Sequence, residues 1–174
     1  MNKAIIAMSG GVDSSVAAAL CAEQGLLCAG LTLVLFKGES GCCSLTNVND
    51  ARDIASKLDM EHFVLNLTEE FDKHVVRHFV ECYEQGLTPN PCIECNRHIK
   101  FNFHLLQACQ PEFDQYVTGH YARIKHDPAS GRFLLQKAID EKKTRATCCT
   151  TLLSSSSKKC VFRWENFPKT RYEK

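Results

Sequence analysis

The hydrophobic pattern of the chain switches between two spacings. Residues 3–8 (Lys-Ala-Ile-Ile-Ala-Met) form a short apolar run that reads as a buried strand, followed by an alanine-rich helix over about 13–24 that ends near Gly25. Residues 26–35 are continuously apolar, as expected of a strand covered on both faces. A polar loop, 37–44, precedes a segment in which Ala51, Ile54, Ala55 and Leu58 share one helical face, with Asn47 or Asn49 as the expected N-cap. A third strand is predicted over 62–67 and a longer helix over 68–84. After them come a turn-rich stretch, 86–95, a helix over 96–109 and a strand ending in Tyr116-Val117-Thr118-Gly119-His120. Residues 121–125 and 132–136 flank Asp127-Pro128-Ala129-Ser130-Gly131 and predict a hairpin. Strands alternating with helices predict an α/β fold, a parallel sheet of about five strands with helices on both faces. Such a sheet takes its ligands at the carboxyl ends of its strands.

A chain of 174 residues fits one domain, and 44 % hydrophobic with 24 % charged residues is ordinary for a soluble protein. No apolar run approaches the roughly 18 residues of a membrane span, and the N-terminus lacks a signal-peptide pattern, so no membrane partner and a cytoplasmic location are expected. In that setting the 11 cysteines favour thiol chemistry or metal binding over disulfides. Cys21, Cys28, Cys82 and Cys109 read as small core residues.

The chemistry concentrates in two segments. The first strand runs into Ser9-Gly10-Gly11-Val12-Asp13-Ser14-Ser15. Paired glycines permit a sharp turn and close approach of a phosphate, and Ser14 and Ser15 fall in the first helical turn, where free N–H groups attract an anion. The lysine of the Walker A pattern is missing. The plain alternative is a strand-turn-helix junction with Ser or Asp near the N-cap. The loop resembles that of the ATP pyrophosphatases, which adenylate a substrate and release pyrophosphate.

The second segment is Thr88-Pro89-Asn90-Pro91-Cys92-Ile93-Glu94-Cys95-Asn96-Arg97-His98-Ile99-Lys100-Phe101. Pro89 and Pro91 stiffen it, and Cys95 is expected near a helix start, where the dipole and the charges of Arg97, His98 and Lys100 favour a thiolate. That thiolate suits a nucleophile, a persulfide carrier or a metal ligand. Half of a structural zinc site is one alternative, although Cys42-Cys43 makes a cramped second pair; an iron–sulfur cluster on Cys92, Cys95 and a third thiol is another.

Together with Thr-Gly-His-Tyr, the two segments occur in the order found in tRNA-specific 2-thiouridylases, and residues 1–143 resemble that family. The resemblance implies an adenine nucleotide alpha hydrolase-like, PP-loop ATPase fold and sulfur insertion at C2 of a wobble uridine. ATP adenylates the C2 oxygen, a cysteine persulfide delivers sulfur, and a second cysteine resolves the intermediate. Carried over by motif, Ala7, Met8, Ser9, Gly10, Gly11, Val12, Asp13 and Ser14 hold ATP, Leu33 lines the adenine pocket and Gly119 backs the nucleotide. Asn90, Pro91 and Cys92 face the target base, Lys143 lies near tRNA, and Cys95 is the nucleophile. Asp13 orients Mg2+ or the loop, or caps the helix; His120 touches the nucleotide or packs. The implied cofactors are ATP and Mg2+, with a [4Fe-4S] cluster on Cys92 and Cys95 as an alternative to a metal-free site. Many members carry Asp where Cys92 stands, so the Cys-x-x-Cys form leaves both the cluster and a proton-transfer role for Cys92 open. The implied partners are tRNA and a sulfur-donor protein. A non-catalytic ATP-binding remnant and another adenylating sulfur or amide transferase are the rival readings.

After Lys143 the resemblance stops. Residues 144–174 carry seven basic and two acidic residues, a serine run at 154–157 and no amphipathic period, against fourteen basic and eighteen acidic residues in 1–143. One set of codons that Thr144 to Thr150 permits, ACC AGA GCT ACG TGC TGT ACA, read one base earlier from a Lys143 codon AAG, gives D-Q-S-Y-V-L-Y, which resembles the family's own continuation of Asp-Gln-Ser-Tyr and an apolar pair. The same shift over 162–173 permits P-V-G-K-L-S-K-D-E-I-R, which again resembles the family. The expectation is therefore a two-part chain: a PP-loop domain with its cysteine loop over 1–143, and a frameshifted, poorly ordered tail over 144–174. The basic character of that tail, with Cys148, Cys149 and Cys160, is then accidental. The family's second catalytic cysteine and much of its tRNA surface lie beyond the lost frame.

Overall fold

The computed structural model describes residues 3–36, 45–102, 112–113, 115–139 and 160–162. Strands β1 (Lys3–Ala7), β2 (Leu27–Val34), β3 (Glu61–Asn66), β4 (Gln115–Thr118) and β7 (Cys160–Phe162) form one parallel sheet in the order β3-β2-β1-β4-β7. A separate antiparallel hairpin pairs β5 (Ala122–Asp127) with β6 (Arg132–Lys137), turning through Gly131 at φ +66°.

Alternation along the central strand sets the layers. Ala4 and Ile6, with Met8 just beyond β1, face α1 (Val12–Glu23) and α2 (Leu45–Lys57), burying Ala17, Ala18, Cys21, Ala51 and Ala55. Ile5 points to the opposite face with Leu31, Leu33 and Tyr116, under Val75, Cys95, Ile99 and Phe101. Full burial of a side chain such as Ile6 or Leu31 contributes about 1.5–3 kcal/mol, so these two apolar layers dominate the stability of the described fold. The alanines of α1 and α2 allow close approach to the sheet. Gly30 goes further, since a Cβ there would lie 2.7 Å from Met8 Sδ and 2.9 Å from His62 Cδ2.

Several elements depart from the expectation. α2 starts at Leu45, so Asn47 and Asn49 lie inside the helix rather than at its cap. The long helix of 68–84 is present as α3 (Thr68–Phe71), a π-helical turn (Asp72–Val76) and α4 (Arg77–Glu84). The helix expected from residue 96 begins earlier, as α5 (Pro91–Cys95), and runs into a second π-helical turn (Asn96–Lys100). Pro91 at the first helical position and the Asn90 cap move the start upstream. The two π turns meet through His74 and His98, whose rings stack 4.8 Å apart at 10°. Cys82 is half-buried beside His78 rather than in the core, whereas Cys21 is buried. Cys109, Cys42, Cys43 and Lys143 lie outside the described residues, as does the 144–174 segment apart from β7.

Candidate active site

The carboxyl ends of β1, β2 and β4 open into a cavity of about 250 Å³. Ala7, Met8, Ser9, Asp13 and Ser14 line it from the first loop, Leu31, Thr32 and Leu33 from β2. Tyr116, Thr118, Gly119, His120 and Tyr121 close it from β4 and the turn beyond, and Lys100 enters from the cysteine segment. Of the residues expected at a nucleotide, the cavity gathers Ala7, Met8, Ser9, Asp13, Ser14, Leu33 and Gly119. Gly10, Gly11 and Val12 are not part of its lining, and the Val12 side chain is exposed.

The loop is held by its own hydrogen bonds. Ser14 Oγ donates to Gly11 O at 2.9 Å and accepts from Ser9 N at 3.2 Å, and Ser15 Oγ donates to Gly11 O at 2.9 Å. Gly10 adopts φ +72°, and a Cβ there would lie 2.7 Å from Asn47 O, so this position admits only glycine without a shift of backbone. Gly11 is the N-cap of α1 and no side chain caps the helix, so the Ser or Asp cap of the plain reading is absent. The capping role for Asp13 falls with it: Asp13 Oδ1 accepts from Tyr121 OH at 2.9 Å, a bond that spans 108 residues of sequence. Gly119 explains how the two segments come so close, because its Cβ would sit 2.8 Å from Asp13 C and Ser14 N. The opening of α1, with its free N–H groups, is thereby pressed against the Thr-Gly-His-Tyr turn.

The floor is polar at one point. Thr32 Oγ1 donates to Met8 O at 2.9 Å and lies 2.9 Å from His62 Nε2. The hydroxyl has one proton and a carbonyl can only accept, so His62 Nε2 is the donor and Nδ1 the bare nitrogen. That Nδ1 is buried without a hydrogen-bond partner among the described residues, and burial together with the Arg52 charge pushes the His62 pKa below its usual value. His120 Nδ1 lies 3.0 Å from Thr118 Oγ1, and its ring contacts Phe101 at 5.6 Å. His120 is thus both cavity wall and packing residue.

The cysteine segment differs from expectation in detail. Asn90 Oδ1 accepts from Cys92 N at 3.0 Å and caps α5. Cys92, in the first turn and exposed, occupies the position at the helix start; Cys95 is the last residue of α5 and only 5 % exposed, among Ile99, Phe101 and Val75. The helix-end argument therefore applies to Cys92 rather than Cys95. The cationic surroundings are also partly spoken for. Arg97 and His98 both reach Glu94, at 3.1 and 3.3 Å, leaving Lys100 to line the cavity. Among the described residues no group of three His, Cys, Asp or Glu could hold a metal ion, so Cys92 and Cys95 gain no third ligand there. The sequence reading left Lys100, Thr32 and Tyr121 without a place in the cavity. A threonine inside the apolar 26–35 run was the one available signal for Thr32.

A parallel α/β sheet with a glycine-serine loop between its first strand and helix defines the class of the protein. A predicted subunit of a tRNA methyltransferase from Methanocaldococcus jannaschii shares the fold with a TM-score of 0.53 at 14 % identity, over 97 % of this chain and 72 % of that one. The family model described as tRNA methyl transferase HUP domain matches residues 2–174, and the chain belongs to that family. The chain is 47 % identical over 150 residues to a tRNA-specific 2-thiouridylase, MnmA, of Clostridioides difficile, covering 82 % of this chain and 42 % of the relative. It is 46 % identical over 153 residues to the protein of the same name in Desulforamulus reducens, covering 83 % and 42 %. The chain thus spans less than half the length of these curated relatives. No helix among the described residues is long and apolar enough to cross a membrane.

Proposed function

We propose that the cavity binds ATP, with its phosphates against the 9–15 loop and its base toward Leu33, and that the chain is the adenylating part of a tRNA 2-thiolation enzyme. The observation that carries this reading is the closure of the loop by the Thr-Gly-His-Tyr turn through Gly119 and the Tyr121–Asp13 bond at the strand ends. Relatives 46–47 % identical and named tRNA-specific 2-thiouridylase support the choice of substrate. Asp13 Oδ2 makes no hydrogen bond among the described residues and is suited to Mg2+. The α-phosphate is transferred to the C2 oxygen of the uridine and pyrophosphate leaves. A persulfide on Cys95 then attacks C2, the C2–O bond breaks and AMP departs. This leaves C2 joined to Cys95 through an S–S bond; attack on the Cys95 sulfur by a second thiol, which the family resemblance puts beyond residues 1–143, frees the 2-thiouridine and leaves a disulfide, and a separate protein supplies the sulfur. Asn90, Pro91 and Cys92 stand at the exposed start of α5, where a splayed base can reach them; Asn90 spends its carbonyl oxygen on the cap and keeps its amide donors. Lys143 is assigned to tRNA by motif alone.

The test is release of AMP from α-labelled ATP by the purified chain with and without unmodified tRNA. AMP formation that requires tRNA supports the reading. ATP binding without turnover supports the second reading, a non-catalytic ATP-binding unit. Turnover with a small amine acceptor and none with tRNA contradicts both. We also propose that residues 144–174 arise from a one-base deletion; resequencing the gene across codons 140–180 supports this if one added base restores D-Q-S-Y, and refutes it if the frame stands and related genomes encode the same tail.

A further inference from the structure

The cavity has a charge problem. A triphosphate is a polyanion, yet the one charged residue of the 9–15 loop offered to it is Asp13, which puts a negative charge in the wall. The hydroxyl protons of Ser14 and Ser15 are already given to Gly11 O. The loop has no Walker lysine, and among the lining residues Lys100 alone is a lysine or arginine. Lys100 comes from the far side, at the end of the π turn that continues α5, and is half-buried. Among the described residues its ammonium makes no ion pair, although Arg97 and His98 on the same turn both pair with Glu94. A half-buried cation without a carboxylate, opposite an anion-binding loop, is suited to an anion that arrives from outside.

We propose that Lys100 is a phosphate ligand of this site, supplying from the cysteine-bearing helix the charge that the loop lacks. The proposal rests on the ATP reading above and adds to it the residue that distinguishes a nucleotide triphosphate from its uncharged nucleoside. The flexible stem lets the ammonium act as a point charge on phosphate oxygens, and Phe101, packed on His120, fixes the end of the helix against the turn that lines the cavity.

The test compares ATP with adenosine on the whole chain. Lys100→Met is expected to weaken ATP about ten- to a hundred-fold while adenosine shifts less than about two-fold, and Lys100→Arg is expected to restore most of the ATP affinity. In the unmutated chain, ATP but not adenosine is expected to protect Lys100 from acetylation, read by mass spectrometry; this second measurement stands even if Lys100→Met does not fold. Equal losses for ATP and adenosine, or unprotected Lys100 in a chain saturated with ATP, overturn the proposal. Failure of the unmutated chain to bind ATP at all overturns the nucleotide reading itself.

Discussion

The 9–15 loop and the cysteine segment both stand out in the sequence, but they are built on different physics. The loop is a backbone device. Its shape follows from Gly10 at positive φ, from Gly119 pressed on the opening of α1 and from hydroxyls bonded to Gly11 O, so no side-chain rearrangement is needed to read it. The cysteine segment is a packing device. Whether its thiols react depends on which of them the core covers, and the core covers Cys95 while leaving Cys92 exposed. The difference teaches that the residue pattern of a backbone site nearly determines its geometry, whereas the pattern of a thiol pair leaves open which sulfur meets solvent.

Substitutions can break the first half of this comparison most sharply. Gly10→Ala combines a disfavoured φ with a contact at 2.7 Å to Asn47 O and is expected to cost about 3 kcal/mol or more, seen as a large fall in melting temperature with loss of ATP binding. Gly25→Ala, also at positive φ but in open space, is the control and is expected to cost about 1 kcal/mol. Next in size is Tyr121→Phe. It removes one bond from a buried tyrosine hydroxyl to the exposed Asp13 carboxylate and is expected to cost about 1 kcal/mol in stability.

The second half is sharpened by alkylation of the native chain with iodoacetamide and peptide mapping. Cys92 is expected to react at least about ten times faster than Cys95, and equal rates would mean that α5 opens readily. The proposed role of Cys95 requires its exposure during turnover, so under that proposal tRNA is expected to narrow the gap. The smallest effect is a pH dependence from His62, whose folded pKa is lowered by burial and by Arg52. The unfolded chain then binds the proton more readily. Its contribution to stability is present above the ordinary value of 6.5 and is lost as the pH falls through the folded value. His62→Gln is expected to flatten the acid side of the stability profile.

Strands β1 to β4, their helices and the hairpin were legible because their apolar periods are strong: the 26–35 run became β2, and the Asp127-to-Gly131 turn sits between β5 and β6. The edge strand β7 was not, since it lies in the 144–174 segment expected to be poorly ordered. Boundaries moved where caps decide them, as at Asn90 and Pro91. What the sequence could not show were contacts across long separations. Tyr121 belongs to a visible motif, but only the folded chain reveals that its hydroxyl holds Asp13. Lys100 reads locally as one of three charges around a thiol, and only the fold shows that Arg97 and His98 pair with Glu94 while Lys100 lines the cavity.

The central claim is that the loop and the Thr-Gly-His-Tyr turn together make a nucleotide site. Isothermal titration of the folded chain with ATP and Mg2+, beside Gly10→Ala, tests it most directly. The account expects one site per chain in the unmutated protein and none in the variant. A chain that shows a cooperative thermal transition yet binds no ATP would contradict it.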